Sequence, residues 1–136
     1  MFTSDRDDTA GGDTNNNAAG SAPFNSSWER IEFTGTSTGS VLDHVEVRYG
    51  GANSLGQVFV NGGELTLSNS VLGNSSSAGL RIAASDPAVT WTTFQANTGA
   101  AVSMDLESNP AISGVTLVNN GTNGLVLDTG LLVEDG

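Results

Sequence analysis

The chain has no cysteine and no lysine, and only one histidine and three prolines among 136 residues. Without cysteine there is no disulfide framework and no thiolate metal site. Without lysine, four arginines (Arg6, Arg30, Arg48, Arg81) stand against 15 acidic residues, a formal net charge of −11. That balance argues against nucleic acid and anionic membranes as partners, and it favours solubility and cation binding. No apolar run approaches the roughly 20 residues of a membrane-spanning helix, so membrane insertion is not expected. The stretch from Met1 to Gly20 is polar and holds no signal-peptide core; an export signal, if the protein is exported, lies outside this sequence. A single imidazole, His44, leaves one possible base for a Ser/His/Asp arrangement, and no nucleophile elbow accompanies it. It reads as a structural residue beside Asp43 and Tyr49.

Helical periodicity is absent as well. Apolar pairs instead recur at i, i+2, the period of a strand with one buried face: Ile31/Phe33, Val58/Val60, Leu80/Ile82, Val102/Met104 and Leu125/Leu127. A second series follows about ten residues behind: Leu42/Val47, Leu67/Val71, Val89/Phe94 and Ile112/Leu117, with Leu131-Leu132-Val133 as its restart. Asn74, Asn97 and Asn120 are evenly spaced, each closing an apolar-x-x-Asn stretch. Ser85-Asp86-Pro87-Ala88-Val89 recurs at the same interval as Ser108-Asn109-Pro110-Ala111-Ile112. A fixed period of this size is the mark of a stacked repeat. Coils of about 22–24 residues with two or three short strands predict an all-β fold, a right-handed parallel β-helix of about 4–5 coils. A β-sandwich would alternate without the fixed period.

In such a solenoid, equivalent residues stack in columns about 4.8 Å apart. Asn74, Asn97 and Asn120 are then expected to turn inward and form an amide ladder, with Gly50 in the same place one coil earlier. The alternative is that asparagine only tolerates left-handed turn geometry there. Residues 1–27 read as an acidic Asp/Asn/Gly-rich loop that opens the solenoid, and residues 28–136 as its coils. Met1-Phe2-Thr3-Ser4 echoes Glu32-Phe33-Thr34-Gly35, as though an earlier coil were under way, and the run at 131–133 stops inside a coil. The chain therefore reads as a segment of a longer solenoid, or as a subunit whose open ends meet a neighbour.

The opening loop is the strongest candidate for a metal site. Asp5, Asp7, Asp8, Asp13, Asn15 and Asn17 offer many oxygens to Ca²⁺, a hard cation taking six to eight of them. Asp13-x-Asn15-x-Asn17 starts like an EF-hand loop, but Ala18 and Phe24 stand where glycine and the bidentate glutamate belong. Catalysis has a thinner basis. Asp105 and Glu107 would be ~7 Å apart on one strand face, a spacing open to a carboxylate pair. Trp91, between Thr90 and Thr92, is the better aromatic platform for a sugar ring, and Trp28 the weaker one. A Thr array for ice is too irregular, and the three N-x-S/T matches fit chance in an Asn/Ser-rich chain.

Beyond these residues, Phe2-Thr3-Ser4 with Asp7-Asp8 and Gly11-Gly12-Asp13-Thr14-Asn15, the Trp28-x-x-Ile31-x-Phe33 strand and Leu42-Asp43-His44-Val45-x-Val47-x-Tyr49-Gly50-Gly51 go together. On them the chain resembles the right-handed parallel β-helix repeat proteins of bacterial surfaces and secretions. The resemblance covers nearly the whole chain. It implies the fold far more strongly than an activity, because this fold hosts lyases, hydrolases, adhesins and fibres alike. The expectation is a structural or adhesive extracellular or cell-surface module, stiffened by calcium and able to stack end to end into a filament. A carbohydrate-active or polysaccharide-binding β-helix using Trp91, Asp105 and Glu107 is the alternative.

Overall fold

Short alternating segments cannot bury an apolar face alone, so each must lie on its equivalent in the next repeat. The computed structural model describes residues 1–128; the run at 131–133 lies outside the described residues. Three parallel sheets form a β-solenoid of about four turns, with almost no helix. The first sheet holds β1 (Ile31–Phe33), β4 (Val58–Asn61), β7 (Leu80–Ala83), β10 (Ala100–Met104) and β13 (Thr122–Leu127). The second holds β2 (Ser40–Asp43), β5 (Leu65–Ser68), β8 (Ala88–Thr90) and β11 (Ala111–Ser113). The third holds β3 (Glu46–Arg48), β6 (Val71–Gly73), β9 (Thr93–Gln95) and β12 (Thr116–Val118).

Register follows the aliphatic pairs. Ile31, Val58, Leu80, Val102 and Leu125 align in one column, and Phe33, Val60, Ile82, Met104 and Leu127 in the next. Leu42, Leu67, Val89 and Ile112 align likewise in the second sheet. In the third sheet the inward column is Val47, Leu72, Phe94 and Leu117. Leu72, not Val71, is therefore the core residue of its coil. Both neighbours are apolar, so alternation alone does not choose between them. The corner chooses, because Leu42 to Val47, Leu67 to Leu72, Val89 to Phe94 and Ile112 to Leu117 are all the same step along the chain. Val47, Val58, Val60, Leu67, Leu72, Leu80, Ile82, Val89 and Phe94 are fully buried, and each such side chain contributes about 1.5–3 kcal/mol.

Tight corners repeat with the strands. His44, Asn69, Trp91 and Gly114 share a left-handed column between the second and third sheets, with φ of 54°, 49°, 49° and 65°. After the third sheet come Tyr49, Asn74, Ala96 and Asn119, with φ of 66°, 55°, 53° and 53°.

The opening segment docks on the third sheet. The amide of Phe2 donates to the Glu46 carbonyl (2.8 Å), and the Arg48 amide donates to the Phe2 carbonyl (3.0 Å). Phe2 thus pairs with Val47 in parallel and leaves it fully buried. The echo of Phe33 in Phe2 misplaces it: Phe2 extends the column of Val47, in a different sheet from Phe33.

Candidate functional site

The opening loop is fastened by an ion pair between residues far apart in sequence. Asp7, 1% exposed, lies 2.7 Å from Nη2 of Arg48. Its carboxylate also accepts the hydroxyls of Thr3 and Thr9 and the Thr9 amide. Arg48 further meets Glu46 (3.0 Å) and donates to the Thr9 hydroxyl (2.7 Å), with its guanidinium 5.7 Å from the Tyr49 ring centre. Burial pushes the Asp7 carboxyl up, but the hydrogen bonds of Thr9 and Thr3 and the charge of Arg48 together outweigh it and hold the pKa below the ordinary value.

The other expected calcium ligands are dispersed among local contacts. Asp13 accepts the amides of Asn17 (3.0 Å) and Ala18 (2.7 Å), closing the turn. Asn15 and Asn17 both donate to the Ser21 hydroxyl (3.0 and 2.9 Å). Asp5 is exposed, and only its carbonyl is engaged, by Thr14. Asp8 Oδ1 and Asn15 Oδ1 are buried and have no hydrogen-bond partner. Among the described residues no group of three or more His, Asp or Glu side chains gathers around one point.

The amide ladder joins two of its three expected members. Asn97, 1% exposed, donates from Nδ2 to Oδ1 of Asn120 (2.8 Å) and to the Leu72 carbonyl (3.1 Å). Its own Oδ1 accepts the Ser75 amide (3.0 Å) and lies 3.5 Å from Nε2 of Gln57. Asn120 donates in turn to the Phe94 carbonyl (2.8 Å). Asn74 stands one residue out of this column, at the left-handed corner, and the buried Ser75 occupies the ladder position. The cause is the coil length: the step from Leu72 to Phe94 is one residue shorter than the step from Asn74 to Asn97, so Asn74 cannot stay in line. Gly50 holds that place one coil earlier, and its amide donates to Oε1 of the fully buried Gln57 (3.3 Å), which donates onward to the Gly73 carbonyl (3.1 Å). Gln57 belongs to no repeat pattern, and sequence periodicity offers no sign of its role.

Asp105 and Glu107 do not lie on a strand face. β10 ends at Met104, and both residues fall in the following turn, because Asp105 folds back to accept the Ala84 amide (2.9 Å) and the Ser108 hydroxyl (2.6 Å). Burial raises the Asp105 pKa, and the hydrogen bonds of Ser108, Ala84 and Glu107 lower it by more. Glu107 is exposed. Other carboxylates also clasp a neighbouring coil: Glu64 accepts the Gly39 amide (2.8 Å) and Asp86 the Asn109 amide (2.8 Å). Asp43 accepts Asn69, Ser68 and His44, which lower its pKa to about 2. Arg81 pairs with Asp128 (2.8 Å) and lies over the Phe59 ring. Trp91 is 71% exposed on the second-to-third-sheet corner, away from both Asp105 and Glu107. Trp28 is partly buried, with Nε1 donating to the Arg48 carbonyl (2.9 Å).

These contacts define a parallel β-solenoid whose acidic and amide side chains tie coil to coil. Comparison with family models, curated proteins and solved structures finds no match for this chain.

Proposed function

We propose that the protein is a non-enzymatic structural or adhesive solenoid module of an extracellular or cell-surface protein, which grows by stacking a further parallel coil on its last one. One observation carries this reading: the last described coil leaves inward apolar residues uncovered, whereas at the first coil Phe2 covers the third sheet and only β1 and β2 end as outer edges among the described residues. At the first coil Phe2 covers Val47 completely. At the last coil Leu125 and Leu127, which end the two inward columns of the first sheet, are 44% and 51% exposed. The outer edges of β11, β12 and β13 have no strand beside them among the described residues. Unpaired parallel edges over apolar side chains are a template for strand addition. The stacking coil comes from a second copy of this chain or from flanking coils of a longer one. Carboxylates bound to neighbouring amides support a scaffold over a hydrolase or lyase, whose acids must face a scissile bond.

Sedimentation velocity over a hundredfold concentration range tests the open end. The expected result is association of the parent chain that Leu125→Lys with Leu127→Lys abolishes. A monomer at every concentration, unaltered by the double substitution, removes the stacking.

Calcium enters this proposal through Asp8 and Asn15, whose free oxygens remain after Arg48 has taken Asp7 and the turn amides have taken Asp13. The expected outcome is a melting temperature a few degrees higher in calcium than in EDTA, with the difference lost in Asp8→Asn. Asp13→Ala should lower the melting temperature equally in both buffers, because its partners are amides. Identical melting of the parent in calcium and EDTA strikes calcium from the proposal.

A further inference from the structure

The outer face of the second sheet has a composition that the scaffold does not need. Its outward residues form two columns, Val41, Thr66, Ala88, Ala111 and Asp43, Ser68, Thr90, Ser113, aligned coil by coil. All are small or medium-sized, and Asp43 is the only charge among them on a chain of net charge −11. The result is a smooth surface of methyls and hydroxyls. At one edge it is bounded by a groove of about 490 Å³ that includes Ser40, Glu64, Ser85 and Asp86. At the other edge stands Trp91.

Trp91 is the anomaly. A bulky aromatic at φ 49° is a backbone outlier, and the same corner is filled elsewhere by His44, Asn69 and Gly114, which suit that conformation better. Packing does not explain the choice, because the side chain is 71% exposed. Its indole is nevertheless seated: a Cβ on Gly114 would come within 2.8 Å of Cε3, so glycine in the next coil is what leaves room for the ring. A strained, exposed and supported indole stands at the edge of a hydroxyl-lined face. From Asp86 to Trp91 the strand covers ~16 Å, room for a short chain of rings.

We infer that this face binds a neutral oligosaccharide, with one pyranose stacked on Trp91 and the chain running across Thr90 and Ser68 toward the Glu64/Asp86 groove. The apolar CH face of a sugar complements an indole, while its hydroxyls complement the Ser and Thr columns. Anionic polymers are disfavoured by Asp43, Glu64, Asp86 and the net charge. Thr90, Asn69 and Gly114, beside Trp91 along the chain or in its column, offer hydroxyl, amide and glycine rather than the apolar rim a protein partner would need.

The test is tryptophan fluorescence of the intact chain titrated with cellopentaose, xylopentaose, mannopentaose and chitopentaose, with polygalacturonate as the anionic control. At least one neutral pentasaccharide should shift the emission and shield it from acrylamide. Trp91→Asn should weaken that binding about tenfold or more, read by isothermal titration calorimetry, while its melting temperature equals or exceeds that of the parent. Trp91→Phe should keep part of the affinity. The inference is overturned if no neutral sugar alters the emission at millimolar concentration, or if polygalacturonate binds best. It is equally overturned if Trp91→Asn binds like the parent, or if it melts well below it, which would make the indole a packing element. An emission change that follows protein concentration alone would mean contact between copies, and also overturns it.

Discussion

Replacing Asn97 with leucine should lower the unfolding free energy by about 3–5 kcal/mol, among the largest losses for a polar residue in this chain. Leucine is similar in size, so the loss comes from polar groups stranded in the core rather than from a cavity. The Ser75 amide loses its acceptor, the Leu72 carbonyl loses its donor, and the Asn120 and Gln57 amides lose a partner. Each buried group left unsatisfied costs about 1–3 kcal/mol. Asn120→Leu should cost less, because that residue is only partly buried and water can reach it. Asn74→Gly should be nearly neutral, since at φ 55° glycine is at ease and no side-chain bond is lost. Urea denaturation of the three variants gives the ranking. Equal losses at Asn74 and Asn97 would restore the three-member ladder and refute the column of Ser75, Asn97 and Asn120.

Arg48→Ala should destabilise the fold by about 3–5 kcal/mol, because it leaves the Asp7 charge buried without its partner. Arg48 also bonds Glu46 and Thr9, so one substitution loosens the whole opening segment from β3. The pH dependence gives a signature that packing loss alone would not. In the parent the Asp7 pKa lies below its unfolded value of about 3.9. Its contribution is therefore present above that value and is lost as pH falls through the folded pKa. Asp43 and Asp105 are lowered too and add to the same acid limb in parent and variant alike. The stability gap between parent and Arg48→Ala should consequently narrow below about pH 4. A gap constant from pH 7 to pH 2.5 would show that the Asp7 charge contributes nothing.

The aliphatic columns were legible because alternation in a strand is a local property of neighbouring residues, and the repeat then copies it. All five pairs of the first sheet lie in the register that their spacing implied. Asn74 falls out of line because Val71 and Leu72 are both apolar, so alternation does not choose between them, and a coil one residue shorter sets Ser75 rather than Asn74 beside Asn97. The echo of Phe33 in Phe2 misleads for a related reason. A few similar residues carry no information on which of three sheets receives them, and the Arg48–Asp7 pair that decides it joins segments distant in sequence. Alternation continues past Met104 and so predicts a strand through Asp105, whereas the hydrogen bond to the Ala84 amide ends the strand at Met104. Gln57 and Arg48, which hold the first coil together, belong to no motif.

Amide hydrogen exchange at low and high protein concentration addresses the difference between the two ends most directly. With Phe2 paired onto β3, and β11, β12 and β13 unpaired on their outer side among the described residues, the Phe2 and Arg48 amides should be protected at every concentration. The outward amides of β11, β12 and β13 should exchange rapidly when dilute and slow down when concentrated, as a stacked coil covers them. Protection of the β11, β12 and β13 edges in dilute solution equal to that of the Phe2 and Arg48 amides, unchanged on concentration, would contradict the growth of the solenoid by stacking.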